Sequence, residues 1–140
     1  MKNEKVSEET LRALFEQALH ASALSYSPYS SFPVGAAILT SDGRVFTGCN
    51  VENRSYGLTN CAERTAAFTA VAEGARQFTA VAIAAPKADY PVGPCGACRQ
   101  VLTEFGDGDV PVIFGSNLQN AKTATLSELY PFDSLHELAD

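Results

Sequence analysis

Two short stretches carry the residues that could do chemistry. Cys61-Ala62-Glu63-Arg64 and Pro94-Cys95-Gly96-Ala97-Cys98-Arg99-Gln100 together supply three thiols and one carboxylate. The Cys95-x-x-Cys98 spacing lets two thiolates grip one tetrahedral zinc. Cys61 is the candidate third ligand, with room before Cys95 for a helix, a strand and a loop. Three protein ligands leave the fourth position open, the pattern of a catalytic zinc rather than a structural one. Zinc makes water a usable nucleophile near neutral pH. Glu63 follows Cys61 by two residues, so it can reach a water at the open position without being a ligand.

Three thiolates around Zn²⁺ leave a net charge of about −1 at the metal, which weakens its pull on a water proton. Two features offset this. Both ligand stretches fall at predicted helix N-termini, where the dipole and free N–H groups favour thiolates. Arg64 can also donate hydrogen bonds to cysteine sulfur. Plainer readings exist for each residue. Arg64 fits an exposed surface arginine. Asn60 and Glu63 have the spacing of a helix capping box. Cys49 would complete a closed four-cysteine structural site, although such sites usually supply two close pairs. Cys95 and Cys98 alone would make a redox dithiol, leaving Cys61 and Glu63 unexplained.

A first ligand, one spacer and Glu, followed later by Pro-Cys-x-x-Cys, is the signature of zinc deaminases. Cys61-Ala62-Glu63-Arg64-Thr65 with Pro94-Cys95-Gly96-Ala97-Cys98-Arg99-Gln100 resembles the cytidine deaminases, in particular their small, homotetrameric, three-cysteine branch. The resemblance extends from about Tyr26 to Pro131. It implies hydrolytic deamination of cytidine and 2′-deoxycytidine in pyrimidine salvage, one zinc per subunit, and a three-layer α/β/α fold with a mixed five-stranded sheet. A deaminase of another aminopyrimidine nucleoside, such as a nucleoside antibiotic, is the alternative. Glu63 would shuttle protons from water to the ring and then to the leaving amine. The resemblance implies that Arg64 compensates the thiolate charge and that Phe32, in Phe32-Pro33-Val34-Gly35-Ala36, stacks on the pyrimidine. It implies that Asn50 and Glu52, in Asn50-Val51-Glu52-Asn53, bind the sugar. A carboxylate there accepts from two vicinal hydroxyls, and an amide adds a donor and an acceptor. Ala62 and Cys95 would offer backbone groups to the base, and Tyr56 would reach a neighbouring subunit's site. Arg54 stands where the family often has a small residue. Phe132 comes too early to match the family's terminal phenylalanine, so it is given no role.

The rest of the chain fits this reading. Its 140 residues suit one domain, 1–140, and 46% are apolar, as in ordinary globular proteins. The start is polar, without the apolar core of a secretory signal, and no run is long enough to span a bilayer. The expected compartment is the cytoplasm, where thiols stay reduced. The net charge of −6 and the lack of any basic run argue against nucleic-acid binding and for a small, uncharged substrate. Glu52 points to a nucleoside rather than a nucleotide, because a carboxylate repels phosphate.

These residues need elements to position them. Ser7 is the predicted N-cap of a helix to about Ala23, with Leu11, Leu14, Phe15, Ala18 and Leu19 at helical spacing. His20 on this helix reads as an ordinary helical histidine. A loop from Ser25 to Pro33 leads to a hairpin, Val34–Thr40 with Val45–Cys49, turned by Asp42-Gly43. A polar loop follows. Asn60 should cap a helix from Cys61 to about Glu73, with Gly74 as its stop. The alanines of this helix suit either a close approach to a sheet or a helix–helix contact between subunits. Phe78–Ala85 reads as a buried central strand. A third helix should span Cys95 to about Phe105, stopped by Gly106-Asp107-Gly108. Strands at Val110–Gly115 and Ala121–Thr125 follow, joined too briefly for a crossover and so antiparallel. Ser127 and Glu128 begin a last helical stretch that Pro131 breaks. The helices before and after the third strand imply parallel crossovers.

Overall fold

The computed structural model describes residues 6–135 and residue 138. The chain builds α1 (Glu8–Ser22), β1 (Gly35–Thr40), β2 (Val45–Cys49), a 3-10 turn (Tyr56–Leu58), α2 (Ala62–Ala72), β3 (Phe78–Ala84), α3 (Gly96–Phe105), β4 (Pro111–Gly115), β5 (Lys122–Thr125) and α4 (Leu126–Leu129). The five strands form one mixed sheet in the order β2-β1-β3-β4-β5. Only β3 and β4 pair in parallel; β1–β2, β1–β3 and β4–β5 are antiparallel. The segment through α2 is still a crossover, since β2 and β3 run the same way. The strand it passes over, β1, lies between them and pairs with both.

The alternation of residues along each strand decides which helices cover which face. On β3, Val81 and Ile83 join Ala36 and Ile38 of β1 beneath α2 and α3. Ala80, Ala82 and Ala84 face the other way, with Ala37, and meet Leu14 and Phe15 of α1. Small side chains on that face leave space for the bulky residues of α1. The result is helix, sheet, helix in three layers, as the family resemblance implied.

Local chemistry sets the boundaries. The Ser7 hydroxyl accepts from the Thr10 N–H at 3.1 Å and starts α1, with Glu8 and Glu9 in its first turn. The hairpin closes through the Thr40 N–H to the Arg44 carbonyl, with Gly43 at φ +86°. That left-handed conformation suits glycine and explains its place after Asp42. At the end of α2, the Ala75 N–H bonds to the Ala70 carbonyl and the Gly74 N–H to that of Val71, a Schellman cap with Gly74 at φ +96°.

The starts of three helices differ from the sequence expectation. Cys61, not Asn60, is the N-cap of α2, and the Asn60 amide donates instead to Thr65 Oγ1 at 3.1 Å. Cys95 likewise caps α3, which begins at Gly96. Thr125 caps α4 in a capping box with Glu128, so this helix starts before Ser127. Each cysteine therefore sits just outside its helix with an extended backbone.

Four of the five alanines of α2 pack on the sheet, while Ala72 is exposed. Ala62, Ala66, Ala67 and Ala70 are fully buried. Across from them Gly48 leaves no room for a side chain: a Cβ there would lie 2.4 Å from the Ala66 nitrogen and 2.8 Å from the Ala62 carbonyl oxygen. The start of α2 is thereby pressed against β2.

Candidate active site

The packing of α2 and α3 on one sheet face brings their N-termini together. Cys61 and Cys95 cap the two helices, and Cys98 lies in the first turn of α3. The three sulfurs lie within 4.8 Å of one another, the Cys61–Cys95 pair at 3.8 Å and the Cys95–Cys98 pair at 3.3 Å. Zinc–sulfur bonds of about 2.3 Å at tetrahedral angles require sulfurs about 3.8 Å apart. The donor set and its spacing fit zinc. Cys49, at the end of β2, is not part of the cluster, which removes the closed four-cysteine alternative.

The electrostatics favour thiolate at the cluster. The Cys61 thiol is pushed down to about 5, first by a hydrogen bond from Cys98 and then by Arg64 and Cys95, against the cost of burial. Cys98 is pushed up by the same contact and by burial, so the pair shares a proton with the charge on Cys61. Arg64 donates from Nη2 to the Cys61 sulfur at 3.4 Å, and this contact strengthens its hold on its own proton. Its Nε is buried and has no partner among the described residues. Arg64 therefore faces the cluster rather than solvent.

Glu63 sits in the first turn of α2 and is only 5% exposed. With Cys61 as N-cap, Glu63 does not occupy the capping-box position, so that simpler explanation falls away. Burial, followed by the nearby Cys61 charge, pushes its carboxyl up to about 7 against the opposing pull of its own backbone N–H and of Cys98. A carboxyl poised near neutrality can both take up and release a proton.

A pocket of about 410 Å³ is lined by Tyr29, Ser30, Glu52, Tyr56 and Thr59. Glu52 and Tyr56 thus share one concavity. Tyr56 lies in the 3-10 turn, is largely exposed, and meets Tyr29 edge to face with ring centroids 5.9 Å apart. The Glu52 carboxylate is already engaged: Oε1 accepts from the Tyr29 and Ser30 N–H groups at 2.9 and 3.1 Å, and Oε2 accepts from the Ser30 hydroxyl. Asn50 is buried and similarly occupied. Its Oδ1 accepts from the Val34 N–H at 2.9 Å and from the Ser25 hydroxyl, while Nδ2 donates to the Phe32 carbonyl at 2.9 Å. A carboxylate has about four acceptor sites and an amide two N–H donors, so Glu52 keeps one acceptor and Asn50 one donor. Phe32 is half-buried beside these groups, and Ala62 opens α2 next to Cys61. Arg54 is exposed in the loop before the 3-10 turn. Phe132 is fully exposed at φ 57°, beyond α4.

Two contributors went unassigned in the sequence. Ser30 links Glu52 to Phe32. Arg99 donates from Nε to the Pro94 carbonyl at 2.7 Å and from Nη1 to the Leu129 carbonyl at 2.5 Å, bracing the turn before Cys95 against α4. The adjacent Gln100 accepts from the Tyr130 hydroxyl at 2.6 Å. Arg99 and Gln100 stand inside the cysteine stretch, which was the available signal.

Known proteins are similar to this chain in sequence and in fold. Residues 8–114 match the family model described as the cytidine and deoxycytidylate deaminase zinc-binding region. The cytidine deaminase of Halalkalibacterium halodurans is 50% identical over 118 residues, 84% of this chain and 89% of that protein. That of Sporosarcina psychrophila is 48% identical over 118 residues, 84% of this chain and 86% of that protein. The crystal structure of cytidine deaminase from Burkholderia pseudomallei superposes with a TM-score of 0.82 at 46% identity, covering 91% of this chain and 98% of the other. With the thiol cluster, the buried glutamate and the sheet order all in place, the chain belongs to the zinc-binding cytidine and deoxycytidylate deaminase family.

Proposed function

We propose that this protein hydrolytically deaminates cytidine and 2′-deoxycytidine, releasing ammonia and the corresponding uridine. The observation that carries the reading is Glu63, buried in the same helical turn region as the three-thiol cluster. Cys61, Cys95 and Cys98 would hold the zinc. When bound there, it supplies an acidified water as nucleophile. The remaining work belongs to the chain. Glu63 takes a proton from the attacking water and delivers it to N3 of the base. As the C4–N bond breaks, it moves the remaining proton of the added hydroxyl to the amine, which leaves as ammonia with C4 as a carbonyl. Arg64 and the N-termini of α2 and α3 offset the thiolate charge. Phe32 stacks on the pyrimidine, and the Ala62 and Cys95 backbones hold the base.

The one acceptor left on Glu52 and the one N–H left on Asn50 complement a single sugar hydroxyl. Reading one hydroxyl is compatible with both ribose and deoxyribose substrates. The carboxylate disfavours a phosphate, which supports a nucleoside over a nucleotide. Work as a homotetramer is supported by the exposed apolar side chains of Val51, Tyr56, Leu58 and Phe68, with Tyr56 contributing to a neighbouring site. A single-domain chain is supported by its one sheet. Residence in the cytoplasm, in pyrimidine salvage, is supported by free thiols that must stay reduced to bind metal. No helix of the described residues is long and apolar enough to cross a membrane.

The test is conversion of cytidine, 2′-deoxycytidine and cytidine 5′-monophosphate by the zinc-loaded protein, followed by ultraviolet absorbance. Turnover of both nucleosides, little of the nucleotide, and loss of activity with a zinc chelator are expected. Turnover of another aminopyrimidine nucleoside with none of cytidine would replace this reading.

A further inference from the structure

Ser30 lies in the loop between α1 and β1 and lines the same pocket as Glu52. Its backbone and side chain both act on that carboxylate. The Ser30 N–H donates to Oε1 at 3.1 Å, and the Ser30 hydroxyl donates to Oε2. The same hydroxyl accepts from the Phe32 N–H at 3.0 Å. A serine hydroxyl has one proton to give, and Ser30 commits it to Glu52. Phe32 is thus held on both sides, its N–H by Ser30 and its carbonyl by Asn50. The Ser30 hydroxyl is also the foremost reason that the Glu52 carboxyl sits below the usual carboxylate range.

The next residue shows that this loop is held against a preference. Ser31 has φ 55°, in the left-handed region that residues with a side chain seldom adopt. Such a conformation persists where its surroundings over-determine it. Here the Ser31 N–H bonds to the Ser27 carbonyl at 2.9 Å, Lys87 donates to the Ser31 carbonyl at 3.3 Å, and Glu52 anchors the two preceding residues.

We propose that Ser30 is a positioning residue for sugar recognition, whose hydroxyl aims the remaining acceptor of Glu52 at the substrate sugar while seating the Phe32 peptide beside the base. The inference rests on the nucleoside deaminase reading above. It goes further by assigning binding, not turnover, to a residue that need not touch the substrate. Ser30 is far from the proton transfers of Glu63 in role, so its loss should act on KM.

The experiment is steady-state kinetics of the full, zinc-loaded chain with cytidine and with 2′,3′-dideoxycytidine, whose sugar lacks the hydroxyls that Glu52 would read. Three proteins are compared: wild type, Ser30→Ala and Ser30→Thr. Losing a hydrogen bond to a charged group should raise KM for cytidine about ten-fold in Ser30→Ala, with kcat within about two-fold. Ser30→Thr keeps the hydroxyl and should return KM to within about three-fold of wild type. With 2′,3′-dideoxycytidine the Ser30→Ala penalty should shrink to about three-fold or less. Ser30 is exposed, so a folded variant is expected, and a melting curve records any general loosening. An unchanged KM for cytidine in Ser30→Ala would overturn the inference. So would an equal penalty on both substrates, or a Ser30→Thr protein as impaired as Ser30→Ala. A wild-type protein inactive on cytidine would instead overturn the proposed function, and the inference with it.

Discussion

Arg64 donates to the sulfur of Cys61 at 3.4 Å, placing a fixed cation on the thiolate of the residue that caps its own helix. The pair lies one turn apart on α2, so the helix that supplies a metal ligand also supplies its counter-charge. Removing the cation should raise the Cys61 thiol, because the thiolate loses its stabilising partner. Protons then compete better with metal for the sulfur. Arg64→Gln should therefore release zinc at a higher pH than wild type when both are titrated into acid. A chromogenic zinc chelator reads the midpoint. Coincident midpoints would show that Arg64 does not support the cluster.

Gly48 presses the start of α2 onto the sheet. An alanine there would place its Cβ 2.4 Å from the Ala66 nitrogen, a backbone atom with little freedom to move. Gly48→Ala should destabilise the protein by about 1–3 kcal/mol through overpacking. Because Cys61 and Glu63 ride on that helix, kcat should fall by about 100-fold in the protein that remains folded. Gly35→Ala is the control. It meets α1 on the opposite face, 1.9 Å from the Ala18 carbonyl oxygen, and should destabilise at least as much while sparing kcat. Equal kcat losses in the two variants would remove any special role for the seat of α2.

Cys49 is free and outside the cluster. Cys49→Ala should keep one zinc per chain and activity within about three-fold, whereas Cys61→Ala should lose the metal. Metal analysis separates the two. Loss of zinc from Cys49→Ala would restore the closed structural site that the sulfur positions argue against.

Much of this was legible in the residues themselves. Cys61, Glu63, Cys95 and Cys98 reveal the metal chemistry because ligand type and spacing are local and restrictive. Asp42-Gly43 marks the hairpin for a similar reason, since the turn needs a residue that accepts positive φ. The start of α2 was missed by one residue because ordinary capping preference points to Asn60. In the structure the tertiary position of Cys61 prevails over that preference. The β1 strand lying between β2 and β3 depends on pairing across distant segments, which periodicity does not encode. The Ser30–Glu52 contact spans 22 positions, and nothing in either local sequence announces it. Gly48 and Gly35 show their purpose only when the helices lie against them.

Glu63 is where the account is most exposed to test. Glu63→Gln preserves size and shape but cannot carry a proton between water and base. The variant should bind one zinc per chain, as wild type does, while kcat for cytidine falls by about 10³-fold or more. The measurement is turnover by ultraviolet absorbance paired with zinc content of the same sample. Zinc retained with kcat within about ten-fold of wild type would contradict the proton-shuttle role and the mechanism built on it.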